Sequence, residues 1–322
     1  MSGGSTSGGK VLVIGAILVA IAMGGGAVLM RAGMRLRRGQ DTARRVLDKL
    51  AENGLYKRDG ARPAPPKPPV GVAALPFLPA APRPVPGTGA GLAESIAAHA
   101  RRRQATADFL EALGAAPLAV IDDPAALKTT RAWLEHIASP AAWSALLTRE
   151  LDQGLAKLDE AEQRYAGLGF PTSLFRGAEA ADIKASYLRY MGTAIETAPL
   201  DYARAEALTG MAADIARRQP KRTSAKELLL FPAALPEALN AEHLARTRAR
   251  LLLAALVVLE RGVTDAEAFK ALAAEDPRLR DPCRQQTAET RFPLVFKAES
   301  GRFLLRSAGI SDPLELSFRR GS

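Results

Sequence analysis

Residues 240–261 read NAEHLARTRARLLLAALVVLER. Leu244, Leu251, Leu252, Ala255 and Leu259 recur at the spacing of a helix and give it a broad apolar face, which makes this the strongest helical signal in the chain. Its apolar centre, 251–259, is nine residues long and is bounded by Arg248, Arg250, Glu260 and Arg261, about half the length that a bilayer crossing takes. The stretch is therefore a helix for the interior of a folded domain.

Toward the N-terminus the same character holds back to Leu92, with little aromatic content and regular helix punctuation. A helix is expected over 93–113, closed by Gly114 and Pro117. Asp123-Pro124 and Ser139-Pro140 each place a capping side chain before a proline at the first helical position. They open helices to about Ile137 and about Tyr165, the second closed by 167–171. Helices over 179–197 and 199–218 follow, joined at Ala198-Pro199. Ser224 and Glu227 have the spacing of a capping box, and Pro232 and Pro236 interrupt what comes next. Roughly 230 residues of this kind bury one sizeable helical core, with a division into two lobes as the alternative. No fixed period with matching residues links the helix pairs, so tandem repeats are not expected.

Before this domain lies a segment of another kind. Residues 62–91 carry Pro63, Pro65, Pro66, Pro68, Pro69, Pro76, Pro79, Pro82, Pro84 and Pro86 and end in GTGAG. Proline at this density favours an extended spacer of about 3.1 Å per residue. Ahead of it, 31–61 reads as a basic helix stopping near Asn53-Gly54. Residues 11–30, VLVIGAILVAIAMGGGAVLM, hold no charge. A helix of that length reaches roughly 30 Å, the thickness of the hydrocarbon core. A single transmembrane helix is expected there, preceded by a short tail, 1–10. A signal peptide is the rival reading, but its apolar core would be unusually long, and the small residues 24–27 fall inside the run. Ala16, Ala20 and Gly24 stand four apart, a spacing that also suits a homodimer through this helix.

The formal charge of +10 is unevenly spread. Residues 1–91 hold 13 Lys and Arg against 4 Asp and Glu, and 92–322 hold 31 against 30. Basicity thus belongs to the membrane-proximal part, where Arg31, Arg35, Arg37, Arg38, Arg44 and Arg45 would each gain about 1 kcal/mol beside an anionic leaflet. Nucleic acid is not an expected partner, since the one basic run in the domain, 101–103, has no interleaved aromatics and reads as a solvated helix face. Positive charge beside a span tends to stay in the cytoplasm, which would place the C-terminal domain there.

Catalytic and metal signatures are absent from the pattern. Cys283 is the sole cysteine, so the chain can form neither an intrachain disulfide nor a thiolate cluster, and Cys283 reads as an inert thiol. His99, His136 and His243 are far apart and have no second ligand type at helical metal-site spacing. No catalytic, cofactor-binding or metal residues are assigned, and no cofactor is expected. A dispersed enzymatic site would have to draw on residues such as Glu135, His136, Asp182 or Glu196, which nothing marks above ordinary helix positions. Trp133 and Trp143 read as core anchors, as do Tyr187 and Tyr190 between helices.

Past Gly262, Thr264 and Glu267 form another capping box for a short helix over 266–274, and the chain turns at Asp276-Pro277 and Asp281-Pro282. Strands are expected over 293–297 and 302–306 around a turn at 299–301, with a third over 314–318. The fold class is therefore mainly α: a transmembrane helix (11–30), a basic membrane-proximal helix (31–61), a proline-rich linker (62–91), a helical domain (92–262) and a C-terminal module (263–322) of a short helix with a β-hairpin or three-stranded sheet.

Over about 248–309 this order of elements resembles the C-terminal part of type IV pilin-like and pseudopilin-like proteins, and a group of membrane-anchored bacterial proteins of unassigned function. The residues that carry the likeness are Asp281, Pro282, Pro293, Leu294, Phe296, Gly301, Leu304, Ser307 and Gly309. The resemblance implies a domain outside the cytoplasm, against the arginine count, and that side is the expectation taken here with the cytoplasm as alternative. Two departures matter. The acidic loop that binds calcium in pseudopilins is replaced by SDPLELSFRR, where Asp312 and Glu315 cannot supply the six or more oxygens calcium takes. Nothing in 11–30 matches a pilin leader, so assembly into a pilus is not expected. The function this points to is a single-pass, membrane-anchored bacterial protein whose helical domain is a non-catalytic interaction or scaffold module with a protein partner. The alternatives are a pseudopilin-like accessory part of a secretion or envelope machinery, and a membrane-anchored enzyme with a dispersed site.

Overall fold

The computed structural model describes residues 7–56, 95–115, 124–200, 202, 205, 206, 210, 235–284, 292–299, 302–309 and 312–319; over 7–24, 113–115, 124–126 and at 319 the description is of the backbone alone. It is mainly helical with a small antiparallel sheet at the C-terminal end. The described residues form two compact units, one drawn from 1–56 and 151–192, the other from 57–150, 193–218 and 231–322.

The first unit is built on α1 (Ser7–Glu52), a single unbroken helix of 46 residues that runs from the apolar stretch into the basic one. It closes as expected at Gly54, whose φ of +67° is left-handed, with Leu55 and Tyr56 both donating backbone hydrogen bonds to Leu50 O. Against α1 pack the distal half of α4 (Ala141–Ala166) and the proximal part of α5 (Thr172–Thr197). Contact between α1 and α5 is close because it is made at glycines. A Cβ on Gly39 would stand 2.7 Å from the Ala181 carbonyl carbon, and one on Gly192 would stand 3.1 Å from Val46 and 3.5 Å from Leu50. Between α4 and α5, Gly154 leaves room for the ring of the buried Tyr187. Tyr56 donates to Asp152 Oδ1 at 2.8 Å, and Arg35 pairs with Asp182. Lys184 Nζ lies 2.7 Å from Asp159 and 2.8 Å from Glu162. Burial would lower the Lys184 pKa, but these two carboxylates outweigh it and raise it.

The second unit is organised around α6 (Leu235–Glu260), with α2 (Ile96–Ala115) and α3 (Pro124–Ala138) as its main neighbours. From Leu251 to Val258 every side chain of α6 is buried. Such a helix needs cover on all sides, and the sheet supplies the rest. Following α7 (Ala266–Glu275) and a 3-10 turn (Pro277–Leu279), β1 (Val295–Glu299), β2 (Arg302–Ser307) and β3 (Leu314–Arg319) form an antiparallel meander with β2 central. Phe303 and Leu305 of β2 and Leu316 and Phe318 of β3 face the core in strand alternation. Phe269 of α7, Phe296, Phe303 and Phe318 form a continuous aromatic row with centroid spacings of 4.8, 5.7 and 5.5 Å, each neighbour pair contributing about 1 kcal/mol beyond its buried area.

Several boundaries differ from the sequence expectation. Helix α5 starts at Thr172, not at 179, because Gly177 is not a breaker; it lies on the face opposite Leu36, whose Cδ1 would be 3.9 Å from an added Cβ. Helix α6 starts at Leu235, not at 240, because Pro236 occupies the first turn, where its missing N–H costs nothing. Helix α2 is capped by Ser95, whose hydroxyl accepts from Ala98 N at 3.2 Å, so it starts at Ile96 in place of 93. The cap of α7 is Asp265, accepting from Ala268 N at 2.8 Å, one residue beyond the expected Thr264. The anticipated Ser139 cap is present, with its hydroxyl 3.2 Å from Ala141 N.

Among the described residues no helix is long and apolar enough to cross a membrane. The run 11–30 lies within α1, and its side chains up to residue 24 are outside the described residues, as are the proline-rich segment 62–91, most of the helix expected over 199–218 and the box at Ser224 and Glu227.

Candidate functional site

Charged side chains enter the interior of the second unit where α2 crosses α6. Glu242 is 1 % exposed. Its Oε2 lies 3.0 Å from His99 Nε2, and its Oε1 accepts from Arg103 Nη2 at 2.9 Å, while Arg103 Nε stands 2.5 Å from Oε2 as an ion contact. Burial would raise the Glu242 pKa, but the Arg103 charge, the His99 hydrogen bond and the Arg246 charge outweigh it and hold the carboxyl at about 2. An ionised carboxylate only accepts, so Nε2 of His99 carries the proton of that bond, and Nδ1 takes the hydrogen bond from Arg102 Nη2 at 3.2 Å. The His99 ring stacks on Trp143 at 5.2 Å, and Trp143 is fully buried.

The two arginines that neutralise Glu242 also close helix ends. Arg103 Nη2 donates to Ile137 O at 2.8 Å, and Arg246 donates to Ala138 O at 3.3 Å and Ala198 O at 3.2 Å. These carbonyls belong to the C-termini of α3 and α5, where the helix leaves acceptors unpaired and the macrodipole favours a cation. Next to them His243 turns the edge of its ring to Tyr202 at 5.2 Å, and its Nε2 is buried with no hydrogen-bond partner among the described residues. Burial first, then the Arg246 charge, pushes the His243 pKa down to about 3. The Tyr202 hydroxyl lies 3.0 Å from Glu206 Oε1 and 3.1 Å from Asn240 Oδ1, and burial with the Glu206 hydrogen bond pushes its pKa up.

A second buried carboxylate, Asp281, ties the C-terminal module together. Its Oδ1 accepts from Ser307 Oγ at 2.6 Å and Cys283 N at 2.9 Å, and its Oδ2 accepts from Ala308 N at 2.8 Å. Ser307 Oγ in turn accepts from Gly309 N at 3.2 Å. Gly309 has φ of +73°, and a Cβ there would strike the Asp312 carbonyl. Asp281, Ser307 and Gly309, spread over the motif residues quoted from the sequence, thus meet at one node. Cys283 is buried beside it with Sγ 3.2 Å from Thr247 Oγ1, and burial pushes its thiol pKa up, which makes it a poor nucleophile. Asp281→Ala is expected to lower the stability of the second unit by about 3 kcal/mol, since three donors lose a charged acceptor. Both tryptophans of the chain belong to that unit, so a drop in the urea midpoint of tryptophan fluorescence checks it.

The residues named for a dispersed site are divided between the two units. Glu135 is exposed on α3, beside a half-buried His136 whose pKa is lowered by partial burial and by Arg103 and Arg102. Asp182 pairs with Arg35 in the first unit, and Glu196 lies on the distal part of α5, in the second. Among the described residues no cluster of three or more His, Cys, Asp or Glu could hold a metal ion. Trp143, Tyr187 and Tyr190 are core residues, while Trp133 is half-buried, edge-on to Phe109 at 5.9 Å. The run 101–103 is corrected in one respect. Arg101 and Arg102 are exposed, but the Arg103 side chain is only 11 % exposed and is committed to Glu242. The spacing of His99 and Arg103, four apart on one helix face, was the available signal; their partner Glu242, 139 positions beyond Arg103, carried none.

No protein-family model, curated protein or solved structure matches this chain.

Proposed function

We propose that the chain is a single-pass, membrane-anchored bacterial protein whose helical domain is a non-catalytic interaction or scaffold module. The observation that carries the non-catalytic reading is the commitment of the buried charges: Glu242, Arg103 and Arg246 pair with each other or cap helix ends, and the Asp281 carboxylate caps a turn. A general acid or base works best with a pKa near the ambient pH, whereas Glu242 is held at about 2 and His243 at about 3. Membrane attachment is supported by the uncharged run 11–30, by its continuation into the basic stretch within one helix, and by the exposure of Val28, Met30 and Met34 at its end.

Alkaline carbonate extraction of cell membranes tests the anchor. The full chain is expected to stay in the pellet and residues 31–322 to be released; a full chain released by carbonate would sink the reading. Alkaline phosphatase fused after Ser322 then reports the side, with activity expected for a domain outside the cytoplasm. Convergence of Asp281, Ser307 and Gly309 on one node favours a second reading, a pseudopilin-like accessory component, which predicts copurification with an export apparatus.

A further inference from the structure

Seven large apolar side chains are exposed among the described residues, and six of them belong to the first unit: Val28, Met30 and Met34 on α1, and Leu168, Phe170 and Phe175 around the α4–α5 turn. Phe170 is 73 % exposed. Far apart in sequence, the two groups lie at one height in the bundle. Leu36 meets Gly177, Gly39 meets Ala181, and Val46 and Leu50 meet Gly192, so α1 and α5 run parallel at an offset of 141 to 146 residues. By that offset 172–175 stand level with residues between 26 and 34, and the turn before Thr172 stands level with the later part of the apolar run. Antiparallel to α5, α4 brings its C-terminal end to the same height, as the contact of Gly154 with Tyr187 and the pairing of Lys184 with Asp159 require.

Charge follows the same layering. Arg31, Arg37 and Arg38 of α1 and Arg176 of α5 are all exposed; Arg31 interleaves with the last apolar side chains, and the others follow them. An apolar tip followed by a basic collar is the arrangement of an element seated in the bilayer interface, with rings among the acyl chains and guanidinium groups among phosphates. We infer that the α4–α5 turn is a second membrane contact, its Phe170 and neighbours dipping into the lipid interface beside α1. The occupant of this apolar face is lipid, because the face is continuous in height with the run that enters the bilayer. This rests on the membrane-anchored reading above. Two insertions in place of one would hold the bundle at a defined tilt, which a lone helix does not do.

The test uses the full chain in vesicles of phosphatidylcholine and phosphatidylglycerol, with or without bromine on the acyl chains. Phe170→Trp is compared with Gln153→Trp, an exposed position on α4 thirteen residues before the helix end, about 20 Å from the turn. Flotation of both variants with the vesicles, with F170W emission quenched by brominated lipid about twofold more strongly than that of Q153W, is the expected result. Flotation with equal quenching of the two overturns the second contact and leaves the anchor standing, the face then being covered by a second copy or another protein. Failure of the chains to float overturns the anchor and the contact together. Circular dichroism of both variants excludes misfolding as the source of a difference.

Discussion

Glu242→Ala is expected to cost the second unit about 3–5 kcal/mol, the range for removing one member of a buried ion pair. The loss would exceed the worth of the pair itself, because Arg103 keeps its positive charge at a largely buried position and His99 loses the acceptor for its Nε2 proton. Glu242→Gln should cost less, since its amide oxygen can still accept from His99 and its volume fills the same space. The cost should fall steeply in the Arg103→Ala background, where no buried cation is stranded, and a double-mutant cycle reads the coupling. Urea unfolding followed by tryptophan fluorescence isolates the effect, as Trp133 and Trp143 both lie in the unit concerned. A cost below about 1 kcal/mol would place Glu242 among solvated surface pairs and contradict its burial.

Acid sensitivity well above the carboxylate range is the second large expectation. His243 has a folded pKa of about 3 against 6.5 unfolded. The lowered value means that the unfolded chain binds the proton first, so the stability contributed by neutral His243 is complete above pH 6.5 and is lost as pH falls toward 3. At about 1.4 kcal/mol per pH unit the loss between pH 6.5 and 5 is about 2 kcal/mol, and on the order of 4 kcal/mol over the whole window. The groups facing the ring are Arg246, Glu242, Arg103 and Tyr202. Of these, Glu242 also loses its stabilising contribution in acid, but only as pH falls from 4.5 toward 2. Between pH 6.5 and 5 the other contributor in this unit is His136, whose pKa is also lowered, so the His243 share is the difference between the wild type and a variant that keeps His136. Urea midpoints of the wild type and His243→Phe at pH 7, 6 and 5 check this, with the wild type falling more steeply; parallel slopes would show that His243 does not titrate anomalously.

Both expectations concern residues that looked ordinary in the sequence. Glu242 and His243 sit in NAEHLARTR and are not among the apolar positions that mark the buried face of this helix. They are buried all the same because α2, the end of α3 and Tyr202 close on them. Periodicity reports which residues share a face but not whether a second element will cover a polar one. Trp143, Tyr187 and Tyr190 were legible as interior residues, because for them residue type and local pattern agree with burial.

Local order was already written in the chain: the helices with their Ser139 and Gly54 signals, the core character of 251–258, and three strands around their turns. These follow from turn chemistry and period, which act over a few residues. It took the folded chain to make Gly39, Gly177 and Gly192 packing sites in place of breaks, to bring Arg103 to Glu242, to gather Ser307 and Ala308 on Asp281, and to set the α4–α5 turn level with the end of the apolar run. Each depends on residues far apart in the chain meeting at a distance of a few ångströms. A glycine, a carboxylate or an exposed phenylalanine carries no mark of its partner until the chain has folded.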